Sequence, residues 1–573
     1  MKEFIKEYDR WLKSDKLTKE EKEELLAIAN DEEAKELCFA VPMSFGTAGL
    51  RAAMNMGIGC MNRFTVAQTT RGIAGLVKAS GAEGRGVVIA HDSRNNSSLF
   101  AKVCAEVLAG AGIKVYIFDS LRPTPELSFA VIRLGAIAGI NITASHNPKE
   151  YNGYKAYWCD GAQISPEQAE IVSREREKYD VLDTDGLADF DEAVKCGNIE
   201  ILDEEFDKQY LDEVIKTVIC PDVIKEVSDS FKVVYTPLHG AGAKLVPMAF
   251  SAVGLKHLYT VDEQMAPDGN FPTVKKPNPE YRDVFEMGIK IADEVGSELV
   301  IATDPDSDRV GVVARNSDGE FVTVSGNQMG ALLLDYVIEQ RRRNGTLSDE
   351  AYCVKSIVST DMAYKIANMQ GVKLYDVLTG FKYIGEVINN VKNDGAFLLG
   401  FEESYGYLLG AYARDKDAVG ASVIILEMAA YYKKLGMSLI DALDKLYEKY
   451  GEYSEKMIDI YMEGLDGIQK RKRTMSALRE NPPSSFGGVK VVSFGDYLAG
   501  ETKNIISGKS EPITQPKSDV LYYTLENEDK IIFRPSGTEP KIKIYVLAHA
   551  DDRCALEAKV KEYEKDAKRI IEK

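Results

Sequence analysis

One pattern constrains this chain more than any other feature: a strand–helix–strand–helix–strand run comes round three times, and its apolar runs stop at polar turns that carry reactive side chains. In the first run Gly86–Ala90 leads into His91-Asp92-Ser93-Arg94, Ile113–Phe118 follows, and Ala136–Ile142 leads into Thr143-Ala144-Ser145-His146-Asn147-Pro148. The second has Phe231–Tyr235 into Thr236-Pro237-Leu238-His239-Gly240, then His257–Val261, then Leu299–Ala302 into Asp304. The third has Val354–Val358 into Ser359-Thr360-Asp361, Val372–Val377 into Thr379-Gly380-Phe381-Lys382, and Ala396–Leu399 into Glu402. Repetition on this scale predicts related α/β domains. Open α/β sheets take ligands beyond the carboxyl ends of their strands, so motifs gathered at such ends predict one shared cleft. The rest of the chain breaks the pattern. Met457–Tyr461, a basic helix-like stretch, Val489–Val492 and Ile531–Phe533 predict a smaller α+β domain. The expected boundaries are 1–205, 206–323, 324–452 and 453–573, and residues 1–37, with acidic Glu20–Glu24, predict an amphipathic helical extension.

A length of 573 residues with 45% hydrophobic content suits several core-bearing domains and excludes disorder. Lys plus Arg total 71 against 90 for Asp plus Glu; the net charge of -19 opposes broad contact with nucleic acid or anionic membrane, so an anionic ligand must be attracted locally. The eight cysteines are scattered without a Cys-x-x-Cys pair, which predicts reduced thiols with neither zinc nor a disulfide framework. Charged residues from Lys2 onward and the lack of a long apolar run predict a soluble, cytoplasmic protein. Nothing in the sequence selects monomer over dimer. Lys470-Arg471-Lys472-Arg473 reads as a solvated helix face.

Four motifs can carry chemistry. Ser145 places a hydroxyl nucleophile at the mouth of a buried strand, although a serine there also serves as a turn or cap residue. His146 reads equally as a loop hydrogen-bonder or a phosphate contact, and Tyr151-Asn152-Gly153-Tyr154-Lys155 reads as a second turn that supplies a lysine. Asp304, Asp306 and Asp308 alternate, so an extended segment projects their carboxylates from one face. Three neighbouring anions repel unless a cation joins them, and hard oxygen ligands favour Mg²⁺. An EF-hand loop is excluded, because it needs Gly and Glu where this chain has Arg309 and Arg315. A metal held by the three carboxylates can polarise a group for transfer, and Arg309 beside them can stabilise the charge that travels. Glu402 with Ser404 pairs a carboxylate with a hydroxyl that can grip two adjacent ligand hydroxyls or cap a helix, with Thr379, Gly380 and Lys382 in the neighbouring turn; Arg414, Asp415, Lys416 and Asp417 frame the same wall or form a surface charge cluster. Arg534, Ser536, Gly537 and Thr538 can wrap a phosphate, with Lys541 and Lys543 in reserve.

In this order, spread from Ser44 to Lys543, the motifs resemble those of the α-D-phosphohexomutase superfamily. Gly400-Phe401-Glu402-Glu403-Ser404-Tyr405-Gly406 is most similar to the long bacterial phosphoglucomutases and their phosphopentomutase-like relatives. The resemblance implies three α/β sandwich domains with mixed sheets and a smaller, mobile C-terminal lid. It implies an isomerase that interconverts glucose 1-phosphate and glucose 6-phosphate through phosphorylated Ser145 and a bisphosphate sugar; phosphomannomutase and phosphopentomutase activities are alternatives on the same scaffold. Mg²⁺ would be held by Asp304, Asp306, Asp308 and the Ser145 phosphate, and glucose 1,6-bisphosphate would serve as activator or intermediate. Lys155 would be an acid/base or phosphate-orienting group, and Arg51, in Ser44-Phe45-Gly46-Thr47-Ala48-Gly49-Leu50-Arg51, would face the transferring phosphoryl. The family often has Arg in the second half of the last motif, where this chain has Lys543. A haloacid-dehalogenase-like phosphatase also carries Asp-x-Asp after an apolar strand, but it leaves Ser145, Glu402 and Arg534 without a task. A non-catalytic phosphosugar sensor would be expected to lack the serine or the Asp triad, and both are present.

Overall fold

The computed structural model describes residues 2–46, 49–462, 467–536 and 541–572. Two compact units form: Met1–Val324 with Gly385–Phe397 and Tyr405–Ser438, and Ser325–Ile384 with Leu398–Ser404 and Leu439–Lys573.

In the first unit β1 (Leu50–Ala53), β2 (Val87–His91), β3 (Val115–Phe118), β4 (Ala138–Ile142), β5 (Tyr151–Trp158) and β6 (Ile199–Leu202) make a sheet ordered β1-β5-β4-β2-β3-β6. A second sheet is ordered β11-β10-β9-β7-β8, from β7 (Lys232–Thr236), β8 (His257–Thr260), β9 (Leu299–Thr303), β10 (Val310–Arg315) and β11 (Phe321–Val324). In the second unit β12 (Tyr352–Ser356) lies between β13 (Lys373–Val377) and β14 (Phe397–Glu402). The same third–first–second order therefore recurs: β4-β2-β3, β9-β7-β8 and β14-β12-β13. β2 pairs parallel with β3 and β4, and β7 with β8 and β9. Central strands β4, β9, β12 and β14 are buried along their whole length, as expected of strands covered on both faces, which is why they read as unbroken apolar runs.

Two local readings change. Tyr151–Lys155 is not a turn but the start of β5, antiparallel to β4, with Asn141 opposite Lys155. Gly153 was misleading: a Cβ there would lie 2.4 Å from the Thr143 carbonyl, so glycine marks close strand approach rather than a bend. The first strand of the third repeat runs Tyr352–Ser356, two residues earlier than the apolar run suggests, because the chain turns where the Ser356 and Ser359 hydroxyls bond each other at 2.8 Å.

Residues 3–39 form three helices. The buried Trp11 indole packs edge-on against Phe39 and Phe64, tying the extension to the helix Arg63–Ser80. In the second unit the chain ends in a β-rich domain. Its antiparallel sheet includes Glu452–Tyr461, Val489–Asp496, Leu521–Leu525, Lys530–Pro535 and Lys541–Ala550, accompanied by helices Gly467–Glu480 and Arg553–Glu572. Among the described residues no helix is long and apolar enough to cross a membrane.

Asp529 anchors this last domain. Its buried carboxylate accepts from Tyr563 Oη at 2.8 Å and Lys559 Nζ at 2.8 Å, and lies 3.1 Å from His549 Nδ1. Hydrogen bonding to Asp529 raises the His549 pKa, so this contribution is complete below about pH 6.5 and is lost as pH rises through the raised value. Asp529 itself is held low: burial opposes ionisation, but bonds from His549, Lys559 and Tyr563 outweigh it, so its share is lost as the medium turns acid. Asp529→Asn is expected to cost about 3 kcal/mol of local stability and to flatten both limbs, read as hydrogen exchange in Lys541–Ala550 against pH. Unchanged protection would refute this role.

Candidate active site

Among the described residues, five of the nine non-glycine residues with positive φ lie just past strand ends that carry the motifs: Ser145 (53°) after β4, Leu238 (49°) and His239 (63°) after β7, Ser307 (51°) after β9, and Tyr405 (66°) after β14. Left-handed backbone at non-glycine residues persists only where surrounding bonds hold it, and such residues cluster at functional sites.

At Ser145 the holding group is Arg94, whose guanidinium is buried. It donates from Nη1 to the carbonyls of Pro148 (2.9 Å) and Tyr151 (3.0 Å), and from Nη2 to those of Ser145 (2.5 Å) and Asn147 (2.5 Å). Asp92, 3.3 Å from Arg94 Nε and also bound to Ser97 Oγ at 2.7 Å, balances its charge. The clamp grips main chain and leaves the Ser145 hydroxyl free to donate to Asp304 Oδ2 at 2.7 Å, with His146 Nδ1 3.1 Å away. Burial, reinforced by Arg309 and Arg51, pushes the His146 pKa far down, so its ring is neutral. Arg51, on β1, donates to Asn147 Oδ1 at 3.1 Å.

Asp304, Asp306 and Asp308 are buried and, among the described residues, form the one group of three candidate metal ligands whose donor atoms lie within 4.8 Å of one another. The loop is shaped by its own first residue: Asp304 Oδ1 accepts from the N–H groups of Asp308 (3.1 Å) and Arg309 (3.0 Å). Thr124 fixes the second, its N–H donating to the Asp306 carbonyl at 2.8 Å and its Oγ1 to Asp306 Oδ2 at 2.9 Å. Lys155 Nζ lies 2.7 Å from Asp306 Oδ2 and 3.0 Å from Asp308 Oδ2, and Lys416 Nζ lies 2.9 Å from Asp308 Oδ2. Burial disfavours the Lys155 ammonium, but Asp306 and Asp308 hold its pKa above the ordinary value. Burial also opposes ionisation of Asp308, which Lys155, Lys416 and Arg309 keep charged; Asp304, with burial and two anionic neighbours against it, is pushed well up. Lys155 and Lys416 thus hold Asp306 and Asp308 ionised, and Asp304 is the carboxylate whose charge is least compensated. Asp306 Oδ1 and Asp308 Oδ1 are buried without hydrogen-bond partners, and an all-oxygen donor set with two orphaned atoms fits a hard divalent cation. Arg309, at the end of this loop, pairs with Glu280.

Arg414 and Lys416 part company. Arg414 turns to Asn389 Oδ1 at 2.6 Å and the Ala411 carbonyl at 2.6 Å, whereas Lys416, four-carbon stem buried, is the cation that reaches the Asp triad. Sequence reasoning gave no separate task to Lys416, Arg94 or Thr124. Arg94 ends the polar turn after β2, and that position was its only signal.

In the second unit Glu402 Oε1 accepts from the Gly380 N–H at 2.7 Å, which joins the Thr379–Lys382 turn to the Glu402–Ser404 loop. Glu403 Oε2 accepts from Ser356 Oγ at 2.9 Å. Lys382 Nζ lies 5.0 Å from the Tyr383 ring centre. Arg534 stands directly opposite Lys543 on adjacent strands, so both cations share a face of the sheet. Tyr545 is two residues beyond Lys543, within electrostatic reach of both Arg534 and Glu403. Ser536 donates its N–H to the Lys541 carbonyl at 2.9 Å, and its own carbonyl accepts from Arg471. That bond makes Arg471 an exception to the solvated helix face. Lys541 Nζ binds Asp459 at 3.1 Å. Gly537 and Thr538, like Thr47 and Ala48, lie outside the described residues.

Family comparison agrees with this geometry. Residues 42–182, 208–319 and 325–450 match domains I, II and III of the phosphoglucomutase/phosphomannomutase α/β/α family. A phosphoglucomutase of Staphylococcus aureus strain N315 is 37% identical over 515 residues, spanning 90% of this chain and 91% of the relative. Two solved structures share the fold. A phosphoglucomutase/phosphomannomutase family protein from Burkholderia thailandensis has a TM-score of 0.64 at 19% identity, covering 92% of this chain and 97% of that one. The open form of pp63/parafusin, a phosphoglucomutase from Paramecium, has a TM-score of 0.67 at 16% identity, covering 93% and 95%. With three α/β domains, mixed sheets and a β-rich C-terminal domain, this chain belongs to the phosphoglucomutase/phosphomannomutase family, whose mutases are intramolecular phosphotransferases.

Proposed function

We propose that the chain is a phosphoglucomutase that interconverts glucose 1-phosphate and glucose 6-phosphate, cycling through phosphorylated Ser145 and glucose 1,6-bisphosphate. One observation carries this reading: the Ser145 hydroxyl, on a loop whose main chain Arg94 clamps, donates to the Asp304 carboxylate, beside the Lys155-bound Asp306 and Asp308, with Arg51 and Arg309 within electrostatic reach of the triad. The identity to a phosphoglucomutase over nine-tenths of the chain supports the choice of sugar. Asp304, Asp306, Asp308 and the Ser145 phosphate would hold Mg²⁺, which when bound supplies charge neutralisation of the transferring phosphoryl. Transfer breaks the Ser145 Oγ–P bond, forms a sugar O–P bond and returns the sugar hydroxyl's proton to Oγ. Lys155 stays an ammonium and orients the phosphoryl, His146 holds Oγ as a neutral ring, and Arg51 and Arg309 face the moving charge. Glu402 and Ser404, with Thr379, Gly380 and Lys382, select the sugar, and Arg414, bonded to Ser128 and Asn389, is a further substrate-binding residue. Arg534, Ser536, Gly537, Thr538 and Lys543 hold the phosphate that does not react. Domain limits near residues 205, 323 and 452 belong to the same proposal. An aspartyl nucleophile fits less well, because both Asp304 oxygens are engaged, one by two main-chain N–H groups and the other by Ser145.

The test is a coupled assay with glucose, mannose and ribose 1-phosphates, with and without glucose 1,6-bisphosphate, alongside peptide mapping for phosphate on Ser145. Higher kcat/KM for mannose or ribose 1-phosphate, or a phosphate on Asp304, would overturn the assignment. Glu402→Gln is expected to alter the glucose-to-mannose ratio of kcat/KM, with about 1–3 kcal/mol lost on glucose 1-phosphate, since a carboxylate reads hydroxyl stereochemistry. Arg534→Ala should lower every substrate by a similar factor, because phosphate is common to all. The reverse outcome would exchange the two roles.

A further inference from the structure

A cavity of about 670 Å³ opens in the first unit between the first helix, the segment Pro42–Phe45 and the stretch Arg176–Val181. Its size falls in the range of small-molecule sites. The lining holds three cations, Arg10, Arg176 and Lys178, with the carboxylates Glu177 and Asp180. The cations are not equivalent. Arg10 is paired with Glu7 and Asp180, and Lys178 with Glu175 at 2.6 Å. Arg176 is 8% exposed, gives Nη2 to the Met43 carbonyl at 2.8 Å, and leaves Nη1 buried with no hydrogen-bond partner. A buried guanidinium nitrogen without a partner costs free energy until an acceptor arrives, and the strongest acceptors for it are anionic oxygens. Met43, Ile58 and Val181 supply apolar wall beside it, and Lys178 stands exposed at the rim.

The wall also belongs to the catalytic loop. Ser173 Oγ, in the cavity lining, donates to the Phe45 carbonyl at 3.3 Å, and the Phe45 ring meets Tyr154 edge-on at 6.2 Å, opposite Leu50 of β1, the strand that carries Arg51. We propose that this cavity is an effector site for a small organic anion, a carboxylate or phosphomonoester on an apolar body, whose oxygens take Arg176 Nη1 and Lys178. Its occupancy braces Phe45, whose ring packs on Tyr154 opposite Leu50 of β1. The inference does not depend on which sugar the enzyme turns over.

Calorimetric titration of the full chain tests it, with phenylacetate and phenyl phosphate as probes, 2-phenylethanol as the neutral control, and glucose 1-phosphate present in excess to occupy the catalytic site. At least one of the two anions is expected to bind with a stoichiometry of about one, and the arm that binds identifies the oxyanion, while the alcohol does not bind. Arg176→Gln and Lys178→Glu should each weaken that binding about tenfold. Lys178 is a surface residue away from the Asp triad, so Lys178→Glu should keep the basal activity and thermal transition, and it guards against a folding defect in Arg176→Gln. Failure of both anions to bind, equal binding of the alcohol, or anion binding untouched by Lys178→Glu would overturn the proposal.

Discussion

Ser145→Ala is expected to lower mutase kcat by about 10⁴-fold or more while leaving the fold in place. The separation follows from how the loop is held. Arg94 bonds to four carbonyls and none of them uses the side chain, so removing Oγ spares the clamp. What disappears is the hydroxyl 2.7 Å from Asp304, the atom proposed to carry the phosphoryl group between the two ends of the sugar. Steady-state assay, intact mass and circular dichroism check the three parts together: lost turnover, no covalent phosphate, unchanged spectrum. Near-normal turnover would place the covalent step elsewhere. Arg94→Lys should also reduce kcat, because one ammonium cannot span four acceptors, yet leave Ser145 phosphorylatable at a slower rate.

Asp308→Asn is expected to injure stability and metal binding at once. The residue carries Lys155 at 3.0 Å and Lys416 at 2.9 Å on the same oxygen, both in buried surroundings. Neutralising it leaves Lys155 with Asp306 and Lys416 with Asp415 as their remaining carboxylate partners, a cost of about 1–3 kcal/mol for the weakened charge-assisted bonds. It also removes one of the three charged oxygen donors, so a calorimetric Mn²⁺ titration should show affinity reduced by at least about tenfold. Urea denaturation reads the first effect and the titration the second. Wild-type Mn²⁺ affinity in a destabilised Asp308→Asn would show that the aspartate serves the lysines alone.

The candidate residues Ser145 and the Asp triad were legible in the sequence because their signals are local: a hydroxyl and three alternating carboxylates, each closely following an apolar run that reads as a buried strand. The threefold architecture was legible for the same reason, since strand length and burial repeat in order along the chain, and β4-β2-β3, β9-β7-β8 and β14-β12-β13 follow that order in space. Gly153 shows where local reading misleads. Asn-Gly is a turn signal when nothing else is known, and only the strands on either side make it a point of close approach. Arg94, Thr124 and Lys416 carried no local signal of their tasks, because each acts on main chain or carboxylates more than fifty residues distant in sequence. Arg414 and Lys416 make the limit plain: two cations two positions apart read as one charged cluster, and only packing sent one to Asn389 and the other to Asp308. The sequence by itself determined the repeated α/β scaffold and the candidate reacting groups, which depend on side-chain chemistry and apolar periodicity. Tertiary structure alone decided which charges are compensated and which polar atoms are left without partners, because burial and distance between remote segments are properties of the folded chain.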